Sequence, residues 1–187
     1  GELEAYVKGA KFSNEHDYDE ALSKFKNLTK EIPDSNLQNA LVKDFTNIKF
    51  TREGAAIPDV IFKDANGREV SLRSFKGKNI YIDLWASWCI PCIAEIPNLR
   101  KLEQEYKGKN IVFISISLDE DKKAWIHKMK ELNLSGIQLE NGDSGFEKMM
   151  NIQGIPHFIL YGADGKLKMY KAPRPGSTSI RQIFDSL

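Results

Sequence analysis

Cys89 and Cys92 are the two cysteines of the chain, and only Ile90 and Pro91 separate them. A Cys-x-x-Cys pair near a βαβ pattern indicates a thiol redox centre, because the two sulfurs can form a reversible disulfide. Half of a zinc site and two incidental core cysteines are the alternatives. Zinc binds about four ligands, whereas this chain adds only three scattered histidines. We therefore expect redox chemistry with no cofactor beyond the Cys89–Cys92 disulfide.

The elements around the pair must hold it at a junction of strand and helix. Ile80–Ala86 is an apolar run that predicts a buried strand, and apolar residues at helical spacing over 96–106 predict a helix. Cys89 then lies at the helix N-terminus, where free N–H groups and the helix dipole stabilise a thiolate. Cys92 lies one turn further on, close enough to attack a mixed disulfide on Cys89.

Two acidic residues accompany the cysteines. Asp83 interrupts the apolar strand, either as a solvent-facing residue at a sheet edge or as a buried acid. Burial would raise its pKa and suit a general base for the Cys92 thiol. Glu95 is three residues after Cys92 and so shares its helix face. It either complements the helix dipole, relays protons or selects what the thiols meet.

Gly154-Ile155-Pro156-His157 precedes a predicted strand. Proline cannot donate to a strand ladder, so Pro156 belongs where the strand begins. Only about 5–6% of X–Pro bonds are cis, so composition alone indicates a trans bond. His157 could tune the thiolate or merely lie beside it.

The rest of the chain divides into two blocks. Residues 1–50 contain helical patterns without a strand-like run, and residues 51–187 alternate strands and helices. In the second block, apolar runs flanking Asp64–Gly67 predict a hairpin. Asn110–Leu118 predicts a second buried strand, so the Cys-bearing helix crosses over between parallel strands. A βα insert, a second hairpin and a last helix over 177–187 complete a mixed sheet covered by helices.

The helical block predicts two amphipathic helices on either side of Pro33-Asp34-Ser35. Such short helices bury little by themselves, so we expect them to pack on the following domain, on preceding sequence or on a partner. The favoured interpretation is a remnant of a longer upstream region. The apolar stripes are Ala21, Leu22, Phe25 and Leu28 in the first helix, and Leu37, Ala40, Leu41, Phe45 and Ile48 in the second.

Bulk properties exclude some functions. A formal charge of +1 gives no basis for binding nucleic acid, and no apolar run reaches the roughly 20 residues that span a bilayer. The chain begins with Gly rather than Met and without a signal-peptide pattern. We therefore expect a processed soluble domain, with a membrane tether, where one exists, in the missing N-terminal sequence.

The motifs together resemble a known family. Asp83–Cys92, read Asp-Leu-Trp-Ala-Ser-Trp-Cys-Ile-Pro-Cys, resembles the active site of the thioredoxin superfamily, and Ile155-Pro156 its cis-proline loop. The stretches 57–60 and 72–78, with Glu95-Ile96-Pro97, are similar to the TlpA/ResA-like branch, thiol–disulfide oxidoreductases of the bacterial cell envelope. The resemblance covers about residues 55–187.

The resemblance implies an α/β thioredoxin-like fold: a mixed central sheet flanked by helices, with an N-terminal β-hairpin and a central βα insert, after a short all-helical segment. By position, Cys89 becomes the nucleophile and Cys92 the resolving thiol. Asp83 corresponds to the buried acid and Glu95 to the active-site acid of ResA-like proteins, and the family supplies the cis assignment for Pro156. The residues implied in substrate binding are Trp88, Ile90, Pro91, Ile155 and Pro156.

The expected function is that of a reductase of protein or peptide disulfides, regenerated by an upstream thiol electron donor. The resemblance places it in the periplasm or on the outside face of the envelope. An oxidase or isomerase differs only in redox poise, and a binding module with non-catalytic cysteines is a third interpretation. Peroxiredoxins carry a Thr where this chain has Ala86, which disfavours peroxide reduction. The chain departs from the family at three places. Ile-Pro separates the two cysteines, Asp83 and Glu95 are both present, and His157 follows the proline of the cis-proline loop.

Overall fold

The computed structural model describes residues 15–187, in two compact units that divide the sequence between Arg52 and Glu53. The division falls close to the boundary predicted after residue 50. Residues 1–14 of the predicted helical segment lie outside the described residues. Within the described part of the chain, no helix is long and apolar enough to cross a membrane.

The first unit contains helices α1 (Glu15–Thr29) and α2 (Ser35–Thr51). Asp34 caps α2, accepting hydrogen bonds from the N–H groups of residues 36 and 37 at 2.8 and 3.2 Å, as the Pro33-Asp34-Ser35 signal predicts. The two helices pack through Phe25 and Phe45, which are fully buried, with ring centroids 4.5 Å apart. The predicted stripes are therefore correct at these two residues. They are wrong at Leu28 and Leu37, which are about half exposed because they lie at the ends facing the connecting turn. They are also wrong at Ala40, which is exposed.

The described residues of the second unit form a mixed sheet of seven strands. Its order is β2-β1-β5-β4-β3-β6-β7, with β3, β4 and β5 parallel and the remaining pairs antiparallel. The strands are β1 (Ile61–Asp64), β2 (Glu69–Ser71), β3 (Asn79–Trp85), β4 (Ile111–Ser117), β5 (Ile137–Glu140), β6 (His157–Tyr161) and β7 (Leu167–Met169). The helices are α3 (Ile90–Glu105), α4 (Lys122–Glu131), α5 (Phe146–Met149) and α6 (Thr178–Asp185), with 3₁₀ turns at Leu72–Phe75 and Gly142–Ser144.

This architecture confirms the predicted fold class. Strands β1 and β2 are the N-terminal hairpin, whose turn places Gly67 at φ +80°, a conformation that favours glycine. Helix α3 connects the parallel strands β3 and β4, and the insert consists of α4, β5 and α5. Strand β3 is buried along its whole length because β4 and β6 flank it.

Helix α3 packs on one face of β3, and this contact positions the cysteines. Tyr81 of β3 shares a buried cluster with Leu99 and Leu102 of α3 and with Phe184 of α6. The Tyr81 hydroxyl donates a hydrogen bond to the Pro173 carbonyl at 2.7 Å, which ties the loop before α6 to the same face. Asp83 and Trp85 follow on this face, since side chains alternate along a strand.

Candidate active site

The cysteines lie where β3 passes into α3, as predicted. Cys89 is the N-cap of α3, and its sulfur accepts the N–H of Cys92 at 3.3 Å. Pro91 occupies the first turn, where a missing N–H costs nothing. The two sulfurs are joined in a disulfide. The Cys92 N–H of this helix end therefore points at the Cys89 sulfur, where it would stabilise a thiolate after reduction.

Asp119, which the sequence reasoning missed, holds the turn in front of Cys89. Its carboxylate accepts the Ser87 N–H at 2.9 Å and the Ser87 hydroxyl at 2.6 Å, and it also accepts the Ser117 hydroxyl at 2.7 Å. The neighbouring Leu118 N–H bonds to the Trp85 carbonyl at 2.8 Å. A signal was available, because Asp119 follows β4, the parallel neighbour of β3, and such strands end at the same edge.

The disulfide itself is almost covered, whereas its surroundings are exposed and apolar. Cys89 and Cys92 are each 4% exposed, in a cluster with Trp85, Ala86 and Trp125. Trp88 and Ile90, by contrast, are 67% and 79% exposed. Two of the implied substrate-binding residues therefore present apolar surface beside the sulfurs, which is a feature of protein contact sites.

The Ile155–Pro156 loop lies on the same site. Ile155 packs against the cysteine cluster, and the bond to Pro156 is cis, as the resemblance implies and composition alone does not. His157 begins β6 and donates its Nε2 hydrogen to the Tyr170 carbonyl at 2.7 Å. Burial lowers the pKa of His157, so its neutral form is favoured. The ring is thus held against Tyr170, the residue that follows β7, and an effect of His157 on the thiolate stays a prediction.

Asp83 is buried in the interior of the sheet, so the alternative of a solvent-facing edge residue is wrong. It pairs with Ser115 on β4 and with Phe158 on β6. Burial, together with the smaller effects of the charges of Glu103 and Glu95, raises the pKa of Asp83 to about 7, while a hydrogen bond from Ser115 acts in the opposite direction. A carboxyl group that titrates near neutrality can both accept and release a proton under ordinary conditions.

Glu103 is the second residue that the sequence reasoning missed. It lines one small cavity together with Asp83, Trp85, Ser115 and Gln138. Partial burial raises its pKa as well. The helical spacing from Cys92 through residues 96 and 99 to 103 placed it on the inward face of α3, but a Glu in a charged stretch is usually solvated.

Glu95 lies on α3 in an ion pair. One of its carboxylate oxygens is 3.2 Å from Arg174 Nη1, and the other accepts the Asn98 side-chain amide at 3.2 Å. Its side chain is 16% exposed and its charge acts on Asp83. The sequence does not indicate Arg174 as a partner of Glu95. Arg174 follows Pro173, whose carbonyl accepts a hydrogen bond from the Tyr81 hydroxyl. The charge of Glu95 thus contributes to the raised pKa of Asp83, while Glu95 itself is paired with the Arg174 guanidinium.

Comparisons with known proteins agree with this geometry. Residues 52–182 match the model of the Redoxin family. The ResA thiol–disulfide oxidoreductase of Geobacillus kaustophilus is 30% identical over 143 residues, covering 76% of this chain and 82% of the relative. The ResA protein of Bacillus thuringiensis is 29% identical over 124 residues, covering 63% and 71%.

A solved structure extends the match to three dimensions. A crystal structure of a Bacteroides vulgatus protein, described as a candidate thiol–disulfide oxidoreductase, superposes with a TM-score of 0.70 at 37% identity. The superposition covers 73% of this chain and 97% of that one. Across the ResA relatives, the aligned segments span from 64% to 82% of their own lengths.

Within residues 15–187, no three His, Cys, Asp or Glu side chains are grouped to hold a metal ion.

Proposed function

Because the chain belongs to the Redoxin family, we propose that it is a thiol–disulfide oxidoreductase that exchanges disulfides with other proteins through Cys89 and Cys92. One observation carries the proposal: the two sulfurs form a disulfide at the N-terminus of α3, where Cys89 is the cap. A helix end lowers a thiol pKa and so favours the attacking thiolate. The ResA relatives perform this class of reaction by name.

The reaction begins with the reduced pair. The Cys89 thiolate attacks a substrate disulfide, whose S–S bond breaks as a mixed disulfide forms on Cys89. The first substrate sulfur leaves as a thiolate and takes a proton from solvent. The Cys92 thiol then gives its proton to Asp83, and its sulfur attacks Cys89. The second substrate sulfur leaves, so the substrate gains two electrons and the enzyme is left with the Cys89–Cys92 disulfide.

We assign the exposed surface around the disulfide to the substrate. Trp88, Ile90 and Pro91 would contact apolar side chains next to the substrate cysteine. The Ile155–Pro156 loop would pair with its extended backbone, as in other strand-addition modes. The chemistry draws on thiols alone, and a second thiol protein would return electrons to the pair after each turnover.

We further propose that the reaction runs in the reductive direction, outside the cytoplasmic membrane. The location rests on the resemblance to envelope proteins of the ResA-like branch, and a membrane tether through preceding sequence stays a prediction. The direction rests on the same resemblance, because the burial of the disulfide, 4% exposed at each cysteine, limits attack by a donor thiol as much as attack by a substrate thiol. Oxidase or isomerase activity is the alternative that the redox potential separates.

The test is to trap the intermediate. Cys92→Ser leaves the mixed disulfide without a resolving thiol, so we expect covalent adducts that a reductant releases. Cys89→Ser is the matched control, and it is expected to trap none, because Cys92 lies within the helix and lacks the N-cap position that stabilises the Cys89 thiolate. Equal trapping by both variants, or by neither, refutes the assignment of Cys89 as nucleophile.

The redox potential then gives the direction. We expect the Cys89–Cys92 couple to titrate at or below about −250 mV, near the thioredoxin value, which a reductase requires. A potential above about −180 mV assigns the protein to disulfide formation or isomerisation instead. A pair that never forms the disulfide in solution leaves a binding module as the remaining interpretation.

A further inference from the structure

A narrow cleft under α3 joins two carboxyl groups, and the reaction above uses only one of them. Asp83 lies on one wall, from β3, and Glu103 on the other, from α3. Ser115 of β4 and Gln138 of β5 complete the polar lining, with Arg100 on the α3 side. Glu103 is two helical turns beyond Ile96, so it lies on the inward face of α3 but far from the cysteines at its start.

The cleft has space for a water molecule. It offers about 20 Å³ to the centre of a water-sized sphere, and roughly 10–15 Å³ is enough for one water. Asp83, Glu103 and Ser115 line it, so polar side chains of β3, α3 and β4 share one small space.

The charged groups that face Asp83 come mainly from α3. Glu103 acts on it most strongly, followed by Glu95. Glu95, however, is paired with Arg174. Arg100 donates hydrogen bonds from its guanidinium to the carbonyl groups of residues 132 and 133. Its charge lowers the pKa of Glu103, but burial raises that pKa by more. Tyr81, on the strand itself, has a pKa raised by burial and stays neutral. Ser115 and Gln138 carry no charge.

We propose that Asp83 and Glu103 act as a coupled pair across this cleft, in which Glu103 sets the pH range over which Asp83 can take the proton of Cys92. Glu103 is a positioning residue, because it acts through Asp83 and does not touch the reacting sulfurs. The inference rests on the proposed function. When Glu103 is ionised, it disfavours a second negative charge on Asp83, and Asp83 keeps its proton to higher pH.

The proton balance of the resolving step follows. At a pH where Asp83 is ionised, the Cys92 S–H proton moves to the Asp83 carboxylate as the Cys92 sulfur attacks Cys89. The substrate thiolate leaves, and Asp83 afterwards loses the proton toward solvent along the cleft. Glu103 changes how strongly Asp83 holds that proton, and no electrons pass through either carboxyl group.

The test separates the two attack steps with a chromogenic reagent. Reduced protein is mixed with dithionitrobenzoate, which releases one coloured thiolate on attack by Cys89 and a second when Cys92 resolves the mixed disulfide. The rate of the second phase is followed from about pH 5 to about pH 9. Glu103→Gln is compared with Glu105→Gln, a matched change two residues away in the exposed pair with Arg181.

For Glu103→Gln we expect the inflection of the second phase to move to lower pH. A fall of half a pH unit raises the ionised fraction of Asp83 about threefold at pH values below both inflections. The plateau at high pH is expected to be lower, since a weaker base accepts the Cys92 proton less readily. Glu103→Asp keeps the charge, so its inflection is expected near that of the unsubstituted protein. Glu105→Gln is expected to leave the inflection unchanged.

Each other result overturns the inference. An inflection in Glu103→Gln that coincides with that of Glu105→Gln shows no coupling. If the Gln variant does not fold, Glu103→Ser repeats the same comparison with a smaller neutral side chain. Failure of the proposed function gives a distinct pattern: the unsubstituted protein then shows no second phase, or one that Asp83→Asn leaves unchanged.

Discussion

Asp83→Asn is expected to stabilise the oxidised protein, and to do so increasingly as the pH rises. The side chain is 8% exposed, and its folded-state pKa of about 7 stands above the ordinary value of 3.8. When folding raises the pKa of a carboxyl group, the group does not lower the stability of the folded state at a pH below its unfolded-state pKa, since it is protonated in both states. The cost grows as the pH passes from the unfolded to the folded pKa, and it is complete above the latter.

The magnitude follows from those two values. The gap between 3.8 and about 7 corresponds to about 4 kcal/mol of stability lost to the buried charge at high pH. Part of that loss has already occurred at mildly acidic pH. Between about pH 5 and about pH 9, the advantage of the Asn variant should therefore grow by about 3 kcal/mol. A constant offset from altered packing or from the hydrogen bond of Ser115 cancels in this difference.

The assay is denaturant unfolding followed by tryptophan fluorescence at several pH values. The chain has three tryptophans, and all lie in residues 53–187, so the signal reports the unit that contains Asp83. Asp59→Asn is the control, because Asp59 pairs with Arg73 on the surface and exposed pairs contribute little. A stability difference that stays flat across this pH range, within about 0.5 kcal/mol, would refute the assignment of a buried acid titrating near neutrality.

Three further outcomes are expected. Asp119→Asn keeps the shape but loses charge-assisted bonds to Ser87, so we expect about 1–3 kcal/mol of destabilisation and slower attack on dithionitrobenzoate, measured by unfolding and stopped flow. Trp88→Ala removes exposed contact surface. It is expected to lower kcat/KM for a disulfide-bonded protein about tenfold while reaction with dithionitrobenzoate stays unchanged; equal losses for both would contradict a binding role. Phe45→Ala leaves a cavity against Phe25 and is expected to cost the helical unit about 3–5 kcal/mol, seen as faster proteolysis within residues 15–52.

The sequence predicted the fold well where hydrophobic pattern and local chemistry agree. Apolar runs located β3 and β4, and turn residues located the hairpin at Asp64–Gly67, because burial on both faces and tight turns restrict which residues are allowed. The helical stripes were predicted wrongly at Leu28, Leu37 and Ala40. Helical periodicity shows which face is apolar, but the neighbour that covers each turn is a tertiary property.

The cysteine pair could be predicted because its spacing carries the chemistry, whereas the contacts made by its polar supports could not. Asp119, Glu103 and Arg174 act through groups that are distant in sequence: Ser87, Asp83 and Glu95. Each of these contacts depends on which strands and loops lie side by side. Burial of Asp83 needed the same information, since a strand at the sheet edge and one between β4 and β6 carry similar sequences.

The stability cost and the chemical use of Asp83 have one source. Its neighbours on β3 are apolar and fully buried at positions 80, 82 and 84, and an apolar side chain at 83 would bury without an electrostatic penalty. Packing therefore does not explain the carboxyl group. The low polarity that raises its pKa also makes it a stronger base for the Cys92 proton, and the ionised Glu103 across the cleft increases both effects. A residue that costs stability at high pH while gaining basicity is expected at a reacting centre rather than in a structural core.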